Sequence, residues 1–200
     1  FSISWSRVLP SGHAPLNPAG VAFYNRLIDG LLARGIQPAA TLYHWDLPQA
    51  LQDRYGGWQS RETAKAFGDY SGHVAKVLSD RVRHFFTVNE LSIFVELGHR
   101  GIDTMADGKP LRIEHAPGLR LPPQALNQVR HHAVLGHGLA VQAIRASGGP
   151  GIKVGLAENA GIAVPVIENA EHIKAAEAAT RDQNAPYLGV ILEGRYSDGY

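Results

Sequence analysis

Cysteine is absent from all 200 residues, which removes disulfides, thiolate metal centres and cysteine nucleophiles from consideration. Neither charge is in excess: 19 basic and 18 acidic residues leave a net charge of +1. The two signs are interspersed, so no field draws the chain to nucleic acid or to an anionic membrane. No run of 18 apolar residues occurs, and no basic segment leads into an apolar one, so neither a membrane span nor a secretory leader is visible. The sequence opens on Phe1 within the alternating stretch Phe1 to Arg7, as though mid-strand, so the lack of a leader carries no weight. The cysteine-free composition leans only weakly to the cytoplasm, and oligomeric state leaves no signature. What is there is ordinary for a globular chain: 44% hydrophobic residues, enough for a sizeable core.

Strand and helix patterns take turns along the chain. After the opening strand, Asn17-Pro18 supplies an N-cap and a first-turn proline, and Phe23, Leu27, Leu31 and Leu32 form an apolar stripe ended by Gly35. Ile36 to Trp45 is short and mostly apolar, as in a strand buried on both faces. A loop over 52–59 follows. Ser60 then caps a helix carrying Ala64, Phe67, Tyr70, Val74 and Val77. Val82 to Glu90 is the next strand, followed by a long connection over 98–123. A third helix carries Leu126, Val129, Ala133, Ala140 and Ile144 and stops at Gly148-Gly149-Pro150, a fourth strand runs from Ile152 to Ala157, and a last helix starts near Asn169. Strands that each lead into a helix imply parallel pairing, in either a doubly wound sheet or a barrel. An eight-unit barrel needs about 250 residues, so in the second case these units are half of one, and the chain is expected to be a fragment.

The chemistry concentrates at two strand ends. Glu90 ends Thr87-Val88-Asn89-Glu90, and His44 and Trp45 end Thr41 to Trp45. A carboxylic acid at the end of a rigid strand, with an amide beside it and an imidazole and indole on the preceding strand, suits polyol recognition and proton donation. Taken singly, Glu90 reads as a solvated charge, His44 as a structural histidine and Trp45 as a core aromatic; together they argue for a site. Strand alternation sends neighbours to opposite faces, so Asn89 and Glu90, or His44 and Trp45, share a site only if the strand ends bend. His131, His132 and His137 lack the i, i+4 spacing of helical zinc pairs, and a metal held by His44, Asp46 and Glu90 is a minor alternative.

Several motifs in this order resemble family 1 glycoside hydrolases, the β-glucosidase family: Phe1 to Arg7, Phe23-Tyr24-Asn25, Thr41 to Gln49 (TLYHWDLPQ), Gly56-Gly57-Trp58, Thr87 to Glu90 (TVNE), His115 to Gly118 (HAPG) and His137 to Gln142. The resemblance implies an α/β fold, a (β/α)8 TIM barrel of which this chain covers about half, roughly strands 2 to 5, with residues 1–200 as one partial domain. It implies Glu90 as the general acid/base, Asn89 as the amide at the sugar 2-hydroxyl, His44 and Trp45 as lining of the sugar site and Asn159 as a less diagnostic contact. It implies no cofactor or metal, and a small β-glycoside or oligosaccharide as substrate. Leu91 stands where the family usually writes proline, and Val88 replaces a commoner aromatic or leucine.

A retaining glycosidase needs two carboxyl groups roughly 5 Å apart, one giving a proton and the other attacking the anomeric carbon. Proximity and partial burial raise the pKa expected of the acid. The family's nucleophile belongs to a Thr-Glu-Asn-Gly motif, and none occurs in the 200 residues. Glu158 is a poor substitute, because the family places its nucleophile three strands beyond the acid rather than one. The alternative to an enzyme is a catalytically incomplete sugar-binding or structural homologue.

Overall fold

A computed structural model describes residues 1–196, in two compact units, Phe1–Ala157 and Glu158–Tyr200. The first unit holds helices α1 (Trp5–Val8) and α2 (Pro18–Leu32), strand β1 (Ala39–Tyr43), helices α3 (Gln49–Tyr55) and α4 (Arg61–Leu78), strand β2 (His84–Asn89), helix α5 (Leu91–His99), strands β3 (Ile102–Ala106) and β4 (Lys109–Ile113), helix α6 (Pro123–Ser147) and strand β5 (Lys153–Ala157). The second holds α7 (Ala170–Asn184), a π-helical turn (Ala185–Gly189) and α8 (Val190–Glu193). Strands β1, β2 and β5 form a parallel sheet in that order.

The sequence reading needs three adjustments. The opening strand is short. Phe1 to Ile3 does pair with β1, through Ile3 N–H to Thr41 O (2.7 Å) and Thr41 N–H to Phe1 O (2.9 Å). Alternation then loses to burial and capping: the Ser4 side chain accepts from Arg7 N–H and starts α1, while Trp5 is completely buried and stacks on Tyr70 at 5.0 Å. On α2 the buried face is Gly20, Tyr24 and Ile28, whereas Phe23 and Leu32 are exposed. Two contacts set that rotation: the Tyr24 hydroxyl accepts from Ser4 N–H at 2.6 Å, and Gly20 lies so close to the Arg7 carbonyl that a Cβ there would stand 2.4 Å from its oxygen.

The third adjustment is that the expected loops are partly regular. α3 occupies much of the first, closed by Gly56 in the left-handed region. The connection over 98–123 contains the antiparallel β3–β4 hairpin, turned by Asp107 and Gly108, both at positive φ. All but one of its strand residues are exposed. Its base is tied to α5 by Leu119 N–H to Gly98 O and Leu121 N–H to His99 O, each 2.9 Å.

The core lies between the sheet and the helices packed on it. Trp5, Tyr43, Trp58, Phe67, Tyr70 and Phe94 form one buried aromatic cluster with ring centroids 5.0–6.3 Å apart. Most of its polar ends are satisfied: Trp58 Nε1 donates to the Tyr43 hydroxyl (3.1 Å), and the Tyr70 hydroxyl donates to Leu42 O (2.9 Å), while Trp5 Nε1 is buried without a hydrogen-bond partner. Ser60 caps α4 by accepting from Glu62 N–H, as its sequence suggests. α4 and α6 pack closely because α4 presents Gly68 and Gly72 to Leu139 and Ala143; a Cβ on Gly68 would lie 3.0 Å from Leu139 Cβ. Gly68→Val should therefore force the helices apart and cost about 1–3 kcal/mol, read as a lowered urea midpoint with an unchanged slope. An unchanged midpoint would show that the seam yields freely.

Candidate active site

The sheet register brings the sequence-predicted residues to one level. Tyr43 pairs with Val88, so His44 follows β1 at the height where Asn89 follows Val88, and Trp45 at the height of Glu90. Both chain pairs emerge at the carboxyl ends of parallel strands, where open and closed α/β sheets alike carry their ligand sites.

The bend required by alternation is present at two residues. Trp45 has φ +70° and Glu90 φ +50°, left-handed conformations that residues with a Cβ seldom adopt. Such strain costs on the order of 1–3 kcal/mol per residue and persists only where surroundings enforce it. Here they do. Trp45 Nε1 donates to the Asn89 carbonyl at 2.8 Å, and Glu90 N–H donates to Ala157 O at 2.6 Å. The Glu90 carbonyl accepts from both Ile93 and Phe94 N–H at 3.1 Å as α5 begins. Leu91, in place of the family's proline, is the first residue of α5 and is completely buried. Proline is equally at home at a first helical position.

The imidazole of His44 bridges two elements. Its Nδ1 lies 2.9 Å from the Ser2 hydroxyl, and its Nε2 lies 3.4 Å from Asn89 Nδ2. An amide nitrogen only donates, so Nε2 is the acceptor and Nδ1 carries the proton toward Ser2. The indole of Trp45 meets His44 at 5.4 Å and His115 at 5.3 Å between ring centroids. His44 is exposed while Trp45, Asn89 and Glu90 are half-buried. Ser2 and His115 were not singled out from the sequence as site residues, although His115 heads the quoted HAPG segment. Asn159 and Glu158 open the second unit directly after β5.

Asp46 is the unexpected feature. Both carboxylate oxygens are buried without a hydrogen bond of ordinary length and angle, beside a cavity of about 140 Å³ also lined by Tyr43, Trp45, Gln52, Trp58 and His99. Burial raises the Asp46 pKa above the ordinary carboxylate value, opposed by the nearby Ser4 hydroxyl and the backbone of Asp46, His44 and Trp5. A larger concavity of about 840 Å³ lies wholly within the second unit and holds none of the predicted residues. Among the described residues, no three His, Cys, Asp or Glu side chains cluster as a metal site, and no helix is long and apolar enough to cross a membrane.

The sequence profile of glycosyl hydrolase family 1 matches residues 1–200, and the chain belongs to that family. Beta-glucosidase A of Acetivibrio thermocellus is 42% identical over 99% of this chain and 41% of its own length. The solved β-glucosidase of Thermotoga maritima in complex with deoxynojirimycin superposes with a TM-score of 0.82 at 36% identity, covering 99% of this chain and 42% of that one. The virulence factor SghA of Agrobacterium tumefaciens is 40% identical with a TM-score of 0.82, over 98% of this chain and 41% of that one, or 40% in its complex with the substrate analog salicin. The chain thus spans about two fifths of the length of these relatives, and its parallel sheet and helices are part of the TIM barrel they share.

Because its native pKa is raised, folded Asp46 holds a proton more readily than the unfolded chain does. Its contribution to stability therefore falls as pH rises from the ordinary carboxylate value through the native one. Asp46→Asn should flatten the urea midpoint across that window and leave the midpoint at about pH 7 equal to or above wild type. A variant weakened more at about pH 7 than at about pH 4 would show that the fold favours the carboxylate.

Proposed function

We propose that this chain carries the acid/base part of a retaining β-glycosidase site, β-glucosidase-like, which hydrolyses O-glycosidic bonds of small β-glycosides or oligosaccharides. One observation supports the reading above others: the register and the two left-handed residues that gather His44, Trp45, Asn89 and Glu90 at one end of adjacent parallel strands. The β-glucosidase relatives, and the deoxynojirimycin and salicin bound by two solved neighbours, support the substrate class.

Glu90 in its acid form gives its proton to the glycosidic oxygen as the bond to the anomeric carbon breaks, while a second carboxylate attacks that carbon from the opposite face. Glu90 then takes a proton from the water that releases the sugar. The second carboxylate is not supplied by a Thr-Glu-Asn-Gly motif in these 200 residues. The Asn89 amide binds the sugar 2-hydroxyl and tightens as the ring gains oxocarbenium character, so it serves the transition state more than the ground state. The polar edge of His44 and the apolar face of Trp45 line the sugar, and Asn159 adds a contact from beyond β5. None of these steps needs a cofactor.

Glu90→Gln in the complete protein that carries this chain should lower kcat on alkyl glycosides by about 10²–10⁴-fold. It should spare the first step on a 2,4-dinitrophenyl glycoside, whose leaving group needs no proton. Added azide should then restore turnover on the activated substrate and give a β-glycosyl azide. A variant as active as wild type on alkyl glycosides would exclude Glu90 as the acid.

A further inference from the structure

Strand β2 keeps step with β1 but not with β5. Phe86 pairs with Gly155 and Asn89 with Ala157, so Thr87 and Val88 together stand opposite Leu156 alone. That extra residue is a bulge, and a one-residue slip turns every later side chain to the other face. Asn89 and Glu90 are the residues immediately beyond it. Whatever fixes the bulge fixes the direction in which the amide and the acid point.

The bulge is bridged by one hydroxyl. Thr87 Oγ1 lies 3.2 Å from the Gly155 carbonyl and 2.7 Å from His137 Nδ1 on α6. A carbonyl only accepts, so the single hydroxyl proton goes to Gly155 O. The imidazole must then donate from Nδ1 to the hydroxyl oxygen. Thr87 is completely buried and His137 nearly so. Burial also lowers the His137 pKa below its ordinary value, consistent with a neutral ring of one fixed tautomer. Thr87 and His137 lie beneath the strand end rather than at the sugar-facing residues.

We propose that His137 and Thr87 are positioning residues for the acid: a buried Nδ1–H to hydroxyl to carbonyl chain clamps the β2 bulge between α6 and β5 and so aims Glu90. The chain acts through β2 and does not touch substrate. The claim that it serves catalysis rests on Glu90 being the proton donor.

Two measurements test it. In the complete protein that carries this chain, the ring nitrogen shifts of His137 should show a protonated Nδ1 and an unprotonated Nε2; the reverse tautomer overturns the chain of hydrogen bonds. In the complete protein, Thr87→Val should lower kcat/KM on alkyl glycosides on the order of ten- to a hundredfold, the scale of a displaced catalytic group, with a much smaller change on the 2,4-dinitrophenyl glycoside. Thr87→Ser, which keeps the hydroxyl, and His137→Asn, which keeps a donor where Nδ1 stood, should each retain most of the wild-type kcat/KM. A folded Thr87→Val protein that loses equally on both substrates, or on neither, overturns the positioning role, since a merely structural hydrogen bond would not follow leaving-group ability. Glu90→Gln run alongside separates the two claims. Leaving-group dependence in Glu90→Gln but not in Thr87→Val sinks the positioning role alone, whereas its absence in Glu90→Gln sinks the assignment of the acid and the positioning role with it.

Discussion

The parallel ladder between β1 and β2 is the constraint on which the site depends. With Tyr43 set opposite Val88, the segments that leave the two strands start level and side by side, and every contact between His44, Trp45 and Asn89 follows. A shift by one residue would bring His44 level with Val88 or Glu90 and break both the indole bond to the Asn89 carbonyl and the imidazole contact with its amide. The register is itself held from below by the buried aromatic cluster. Tyr43 and Trp58 share a hydrogen bond, and Tyr70 donates to the carbonyl of Leu42 within β1. Packing in the core is thereby coupled to geometry at the rim.

Rim geometry is bought with backbone strain. Trp45 and Glu90 occupy left-handed conformations that glycine would adopt without cost, yet glycine there would remove the indole and the carboxyl. Retaining those side chains means that neighbouring hydrogen bonds must hold the bend. For Trp45 the indole itself does so, by reaching across to the Asn89 carbonyl. For Glu90 the hold is on the main chain, from Ala157 on one side and the first turn of α5 on the other. The Trp45 indole thus holds the bend that it occupies, and removing it would loosen the strand end.

Much of this was readable in the residues and some was not. The helices of 61–78 and 123–147 announce themselves through three- and four-residue apolar spacing that the buried faces reproduce. The strand ends at Trp45 and Glu90 stand out because four chemically apt residues occur in two short segments. The bends were legible only as a requirement, because left-handed Trp and Glu reflect tertiary hydrogen bonds rather than local propensity. Phe1 to Arg7 alternates like a strand, but the Ser4 cap and the burial of Trp5 override the pattern. The stripe expected on α2 was rotated by Tyr24 and Gly20, whose partners lie in a segment distant in sequence. The β2 bulge had no sequence signal, since it exists only relative to β5.

α5 shows how little freedom the acid retains. Its first residue, Leu91, is buried, and Glu96 further along it is bound by Arg130 of α6 at 2.6 Å, a half-buried pair screened less than a surface one. α6 also supplies His137 to the strand that precedes Glu90. One helix therefore grips the chain on both sides of the acid, through β2 before it and through α5 after it. The N–H and carbonyl of Glu90 are both engaged, so its backbone is fixed from both sides. A group carried by regular elements in this way is placed more accurately than one on a free loop, and the role we propose for Glu90 demands that accuracy, because a proton donor must lie within hydrogen-bond reach when the bond breaks.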